Sequence, residues 1–160
     1  MQARGDQVDP KRALDDSVNR ILAIAAVHEV LTERRDESVD LGELLERLRA
    51  MLVQGIGAGK EVSATLAAVT LEGDRATALA LVFSELLQNA LEHGGDAVRI
   101  ELAQANGDVR LAIADDGGGI GDAPRGTGLS IVDALVRDEL GGTLSLEDVG
   151  GLRAQVVFPA

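Results

Sequence analysis

The chain is 160 residues long, enough for one compact domain and a short appendage, and its net charge of −12 excludes the basic footprint that a nucleic-acid partner requires. It has no cysteine, which excludes disulfides, thiolate metal sites and cysteine nucleophiles, and aromatics are 1% of the chain, so the core has to be built from Leu, Val, Ile and Ala. No apolar run approaches the ~18 residues of a membrane span, and the polar start MQARGDQVDP is no signal peptide, so a cytoplasmic protein without a membrane segment is expected.

In chain order, Leu14, Val18, Ile21, Ala25 and His28 recur at alternating spacings of four and three, and Ile24, Val27 and Leu31 widen the stripe. This pattern predicts a helix over 10–32 whose broad apolar face suits a partner helix or a dimer seam. A polar break, ERRDESVD, follows, and Asp40 is placed to cap a helix over 41–53. Gly55, Gly57 and Gly59 mark a flexible loop, and a strand is expected over 62–69. A helix over 76–92 places Leu79, Phe83, Leu86, Leu87 and Ala90 on one side and is stopped by HGGD.

Val98, Ile100 and Leu102, then Val109, Leu111 and Ile113, alternate with polar residues around Asn106-Gly107, the signature of a two-residue hairpin. A glycine-rich turn covers 115–121, a helix 129–140, and two strands, 143–146 and 152–158, flank Gly150-Gly151. This order predicts an α+β fold, a two-layer α/β sandwich with helices on one face of a largely antiparallel sheet. Residues 1–37 would form a helical stub and 38–160 the globular domain.

GIGAGK, from Gly55 to Lys60, resembles a phosphate-binding P-loop, but that pattern needs Gly where Gln54 stands and Ser or Thr where Glu61 stands. The dinucleotide fingerprint fails there as well, its third glycine falling on Lys60, and fails again in GGGIGD at Asp122.

Three other elements converge on a nucleotide. In SELLQNALEH, Glu85, Asn89 and Glu92 are spaced by four and three and share a helical face opposite the core residues. Asn89 offers a neutral oxygen to Mg²⁺, and Glu85 can orient or deprotonate an attacking group. In DDGGGI, Asp115 stands at the end of a strand, where a carboxylate can accept a hydrogen bond from the adenine amino group, and Gly117 and Gly119 permit close backbone approach. In RGTGLSIV, Gly126 and Gly128 precede a helix whose first amides suit a triphosphate, with the Thr127 hydroxyl beside them. Taken singly, each also reads as an ordinary amphipathic helix, tight turn or helix start.

Together, in this order and spacing, they resemble the N box and two glycine boxes of the ATPase superfamily that includes histidine kinases, gyrase, the Hsp90 chaperones and the mismatch-repair MutL proteins. The resemblance covers about residues 40–159. It implies a Bergerat-type ATP-binding fold, with N-box roles for Glu85 and Asn89. It also implies first-box roles for Asp115, Gly117 and Gly119 and second-box roles for Gly126, Gly128 and Leu129. GTGLSIV is most similar to histidine kinases, and 13–31 resembles the second dimerisation helix of the subfamily whose acceptor motif reads roughly HHRVKNN, a motif absent here. The resemblance therefore implies an ATP- and Mg²⁺-dependent protein histidine kinase. Such a kinase would be homodimeric in its full-length form and work with a histidine-bearing dimerisation helix and a response regulator.

Two departures stand out. The stretch from Ile120 to Gly126 is short for an ATP lid, and the GTR of related kinases is Gly151-Leu152-Arg153 here, without its Thr. His28, in HEVLT, is similar to the HELRT acceptor motif. However, too few residues separate it from Asn89 to complete its helix, a turn and a second full-length helix, so His28 reads as a packing or capping residue. His93, next to the N box, ends that helix and reads either as a plain C-terminal helix residue or as a contact to a phosphate. Two other classes fit the same fold, an anti-sigma-type serine kinase and a non-catalytic ATP-binding module.

Overall fold

The computed structural model describes residues 38–56, 59–117, 126–148 and 150–160, with seven positions of the N-terminal stretch: Leu14, Val18, Ile21, Ile24, Ala25, His28 and Glu29. All seven are helical and exposed, Leu14 and Ile21 by 65% and 64%. The described part of the predicted stripe is therefore helical and exposed. Val27 and Leu31 lie outside the described residues.

The first strand, β1, is Ser38–Asp40, and it runs directly into α1, Leu41–Ile56. The predicted cap is present: the Glu43 N–H donates to Asp40 Oδ1 at 3.3 Å. On α1, Leu41, Leu44, Leu45, Leu48 and Leu52 are buried. On its outer side the Arg49 guanidinium holds the Glu46 carboxyl below its usual value through a 2.6 Å bond, an exposed pair that contributes little to stability.

The strand expected over 62–69 ends early, at Leu66. β2 is Glu61–Leu66, after which the Ala67 N–H donates to Leu102 O at 3.0 Å and the chain turns away to form β3, Thr70–Glu72. β3 pairs antiparallel with β1 in a separate two-stranded sheet, with buried Val39 opposite buried Leu71. Strands of three residues are too short to show alternation, which is why the sequence gives no sign of this ribbon.

Next comes α2, Gly73–His93, the longest helix among the described residues and the centre of the fold. Leu79, Phe83 and Leu87 are fully enclosed, and Ala76, Ala80, Val82 and Leu91 are buried around them. At its start, Arg75 donates to the carbonyls of Leu140 and Pro159 and lies 5.3 Å from the Phe158 ring centroid, so one cation ties α2 to two distant segments.

The main sheet has the order β2-β4-β5-β7-β6, with β2 parallel to β4 and every other pair antiparallel. β4 is Ala97–Ala105 and β5 Asp108–Asp115, and the hairpin between them takes the positive φ values its sequence predicts, 56° at Asn106 and 84° at Gly107. β6 is Thr143–Asp148 and β7 Leu152–Pro159. Val98, Ile100, Leu102, Leu111, Val156 and Phe158 are buried toward the helices. This is the two-layer α+β sandwich that the pattern predicts.

Between β5 and β6 lies α3, Gly126–Leu135, followed by one π-helical turn, Val136–Leu140. The helix thus begins three residues before the predicted Leu129, and GTGL forms its first turn instead of preceding it. A glycine costs least where the amides lack intrahelical partners in any case. No helix among the described residues is long and apolar enough to cross a membrane.

Phe83→Ala is expected to lower the unfolding free energy by about 3–5 kcal/mol, read from urea denaturation with nucleotide absent.

Candidate functional site

Burial of α2 decides where its polar residues can go. Its apolar residues take up the sheet side and the α1 side. Glu85 is nevertheless 8% exposed, and Ser84 and Gln88 are buried with it, while Asn89 and Glu92 are half-buried. An ordinary solvated helix face would leave a glutamate open to water. Ser84 returns its hydroxyl proton to Ala80 O at 2.9 Å, and Gln88 Nε2 donates to Glu92 Oε1 at 2.9 Å. Ser84, Glu85, Gln88, Asn89 and Glu92 thus form a polar strip on a buried helix.

His93 closes α2, and Gly94 and Gly95 carry the chain toward β4. Asp115 is the last residue of β5, and the two termini meet. A Cβ on Gly94 would lie 2.7 Å from the Asp115 Cβ, so the end of α2 touches Asp115 with no side chain between. Asp115 is half-buried, and its Oδ1 accepts the Gly117 N–H at 2.9 Å and the Leu152 N–H at 3.2 Å. Two amides on one oxygen fix the carboxylate and, among the described residues, leave Oδ2 for another donor. Leu152, standing where related kinases carry Thr, reaches this carboxylate through its backbone.

Gly126, Thr127, Gly128 and Leu129 form the first turn of α3, which packs on α2, and Leu129 rests against the core. Gly119 lies outside the described residues, as do the side chains of His93 and Thr127. Of the predicted residues that can be followed, Glu85, Asn89 and Glu92 lie on the second half of α2, whose end meets Asp115, and Gly126 to Leu129 open a helix that packs on α2. Two cavities lie elsewhere or alongside. One of about 470 Å³ is lined by Gly42, Glu43, Arg49 and Val62 between α1 and β2. One of about 370 Å³, lined by Ser63, Arg99 and Ala114, touches Asp115 and Asp116 at its edge. Neither is lined by Glu85 or Asn89, so the first has no part in the polar strip.

Sequence reasoning missed three contributors. Gly151 reads as a plain turn residue, yet a Cβ there would collide with the Asp115 carbonyl oxygen. Asp116 reads as a solubilising acid, yet it accepts the Ala97 N–H at 3.1 Å and so joins the glycine turn to β4. Lys60 belonged to a failed P-loop, yet it bonds to the turn after α2. The paired glycines at 94–95 and 150–151 were the available signal, since adjacent glycines mark close backbone approach as well as turns.

A family model described as histidine kinase-, DNA gyrase B- and HSP90-like ATPase matches residues 74–160, more than half of the chain. The chain belongs to this ATPase family. A second model, described as histidine kinase, matches residues 1–56. The sensor histidine kinase PdtaS of Mycolicibacterium smegmatis is 33% identical over 171 residues, spanning 97% of this chain and 34% of that protein. The sensor protein kinase CarS of Pseudomonas aeruginosa is 36% identical over 97 residues, 49% of this chain and 22% of that protein. The chain thus spans about a third of the length of the PdtaS relative it matches.

Among solved structures, the Erythrobacter litoralis EL346 blue-light activated histidine kinase superposes with a TM-score of 0.80 at 25% identity, covering 91% of this chain and 54% of that one. The ATP binding domain of PrrB from Mycobacterium tuberculosis superposes with a TM-score of 0.66 at 26% identity, covering 77% of this chain and 96% of that one.

Gly151→Ala is expected to displace the Asp115 carbonyl and destabilise the domain by about 1–3 kcal/mol, seen as a lowered Tm. An unchanged Tm would remove Gly151 from the support of Asp115.

Proposed function

We propose that this chain is the ATP-binding catalytic part of a sensor histidine kinase, transferring the γ-phosphoryl group of ATP to a histidine on a dimerisation helix outside these residues. The observation that carries this reading is the meeting of the N-box helix end with Asp115, a carboxylate already oriented by two backbone amides. The histidine kinase match over residues 1–56 favours this reading over an anti-sigma-type serine kinase or a non-catalytic module.

In this reading Asp115 accepts a hydrogen bond from the adenine amino group, and Gly117 and Gly119 let the base approach the backbone. The first turn of α3, Gly126 to Leu129, offers unpaired amides and the positive end of a helix dipole to the phosphates, with the Thr127 hydroxyl added. Asn89 is the Mg²⁺ ligand. No group of three His, Cys, Asp or Glu among the described residues is placed to hold a metal, and a half-buried carboxamide fits an ion held chiefly by phosphate oxygens. Bound there, Mg²⁺ supplies charge neutralisation on the phosphates.

Glu85, enclosed on the strip, orients or deprotonates the attacking imidazole, while Glu92 and His93 line the phosphate end. The imidazole nitrogen bonds to the γ-phosphorus as the bond to the bridging oxygen breaks, and ADP leaves. Little covalent chemistry falls to the protein, so positioning dominates.

The division between units is placed at 37/38, because the Asp40-capped α1 shares one core with α2, although the histidine kinase match runs on to residue 56. The exposed stripe of Leu14, Val18, Ile21 and Ile24 supports a homodimer seam, with a response regulator receiving the phosphoryl group. Use of ATP places the site in the cytoplasm.

Mg-ATP is expected to raise the Tm by mass action and GTP to do so less, because the six-position carbonyl of guanine cannot donate to Asp115. Equal stabilisation by both would remove the assigned role of Asp115. With an upstream histidine-bearing helix supplied, Asn89→Ala should weaken Mg-ATP binding and abolish transfer. Glu85→Ala should keep most of the binding and slow transfer by about 10²–10⁴-fold. Transfer left intact by both substitutions would overturn the N-box roles. Incubated alone with γ-labelled ATP, the chain should gain no acid-labile label, and His28→Ala should bind ATP like the parent. Acid-labile label lost in His28→Ala would make His28 the acceptor.

A further inference from the structure

We propose that Lys60 is a positioning residue for the adenine end of the nucleotide site, acting through the turn that ends α2. The proposal rests on the reading of Asp115 given above. Lys60 closes the GIGAGK stretch, which fails as a P-loop, and is half-buried at the start of β2. Its Nζ donates to Gly95 O at 2.5 Å and to Gly94 O at 3.3 Å, across 35 and 34 residues of sequence.

Those carbonyls lie just past the end of α2, in the negative field of its C-terminus, where carbonyls need donors from outside the helix. A helix usually meets that need with a left-handed glycine. Gly94 is instead extended, with φ −79° and ψ 179°, and only its own N–H turns back, to Ala90 O. In place of such a cap, the Lys60 ammonium serves the two carbonyls immediately after the helix. The next residue repeats the connection through the backbone, the Glu61 N–H donating to Asp96 O at 2.8 Å.

The turn held in this way is the surface on which Asp115, Asp116 and Gly117 lie. A Cβ on Gly117 would come within 2.7 Å of the Gly94 Cα and the Gly95 N, and one on Gly95 would strike the Asp116 carboxylate. Asp116 in turn receives the Ala97 N–H. At Gly117 backbone rests on backbone, and Gly94 and Gly95 lie directly against the side chains of Asp115 and Asp116. A displacement of Gly94 and Gly95 therefore passes to Asp115, and the ammonium of Lys60 sets where those two residues sit.

The test compares ATP and GTP affinity, with magnesium, in the parent chain and in Lys60→Met. The parent should prefer ATP. Lys60→Met should lose roughly tenfold in ATP affinity and little in GTP affinity, so the ratio of the two collapses toward one. A loss confined to general stability would weaken both nucleotides together and leave the ratio intact.

Because the chain contains no cysteine, Lys60→Cys treated with 2-bromoethylamine rebuilds an ammonium of nearly lysine length at this one position. It should restore the preference that unmodified Lys60→Cys lacks, and this pair serves equally if Lys60→Met does not fold. A parent that binds neither nucleotide, or both alike, overturns the reading of Asp115 and this proposal with it. A parent that prefers ATP beside a Lys60→Met that keeps the same ratio overturns the role of Lys60 alone.

Discussion

Everything at the active end of this domain depends on the burial of α2. A 21-residue helix with Leu79, Phe83 and Leu87 fully enclosed has almost no freedom to rotate or slide, because any movement would open voids in a close-packed core. Its polar residues are then fixed by default. Glu85, Ser84 and Gln88 are held out of water on a helix that cannot turn to release them. A buried polar group left unsatisfied costs about 1–3 kcal/mol, and the bonds from Ser84 to Ala80 and from Gln88 to Glu92 offset part of that cost. In the reading proposed above, this rigidity serves the site, since a side chain that acts on a phosphoryl group gains from being placed before the substrate arrives.

The two ends of α2 are secured by cations of different kinds. At the start, the planar Arg75 guanidinium serves two carbonyls and covers the Phe158 ring, joining α2 to the π turn and to β7. At the other end, the compact Lys60 ammonium sits between two consecutive carbonyls. In a chain with net charge −12 and 15 basic residues, these two are spent on backbone oxygens inside the fold. The acidic excess remains outside, where it favours solubility and discourages polyanionic partners.

The N-terminal helix follows a different rule. Its apolar stripe has the spacing of a packed helix and the exposure of an unpacked one. Four large aliphatic side chains on one stripe are more than scattered surface hydrophobics, and their burial requires a second surface. The catalytic unit already encloses its own core, so that surface belongs to the dimerisation region in the reading proposed above.

The sequence by itself determined the elements whose information is local. The periodicity of 76–92, the Asn106-Gly107 hairpin, the Asp40 cap and the alternation in β4 and β5 each lie within a few residues of one another, and each appears in the fold as its pattern predicts. The family was legible for a different reason: each motif alone reads as an ordinary helix, turn or helix start, and their order and spacing together carry the resemblance.

Only the tertiary structure decided the rest. The β1–β3 ribbon depends on Val39 finding Leu71, the first glycine box on Gly151 lying against the Asp115 carbonyl, and the end of α2 on Lys60 reaching 35 residues ahead. Nothing near Lys60 in sequence marks its partner, because the carbonyls it serves carry no side-chain signature. A backbone oxygen is the same in every residue, and which ones lack a donor is settled only once the helices and strands have packed.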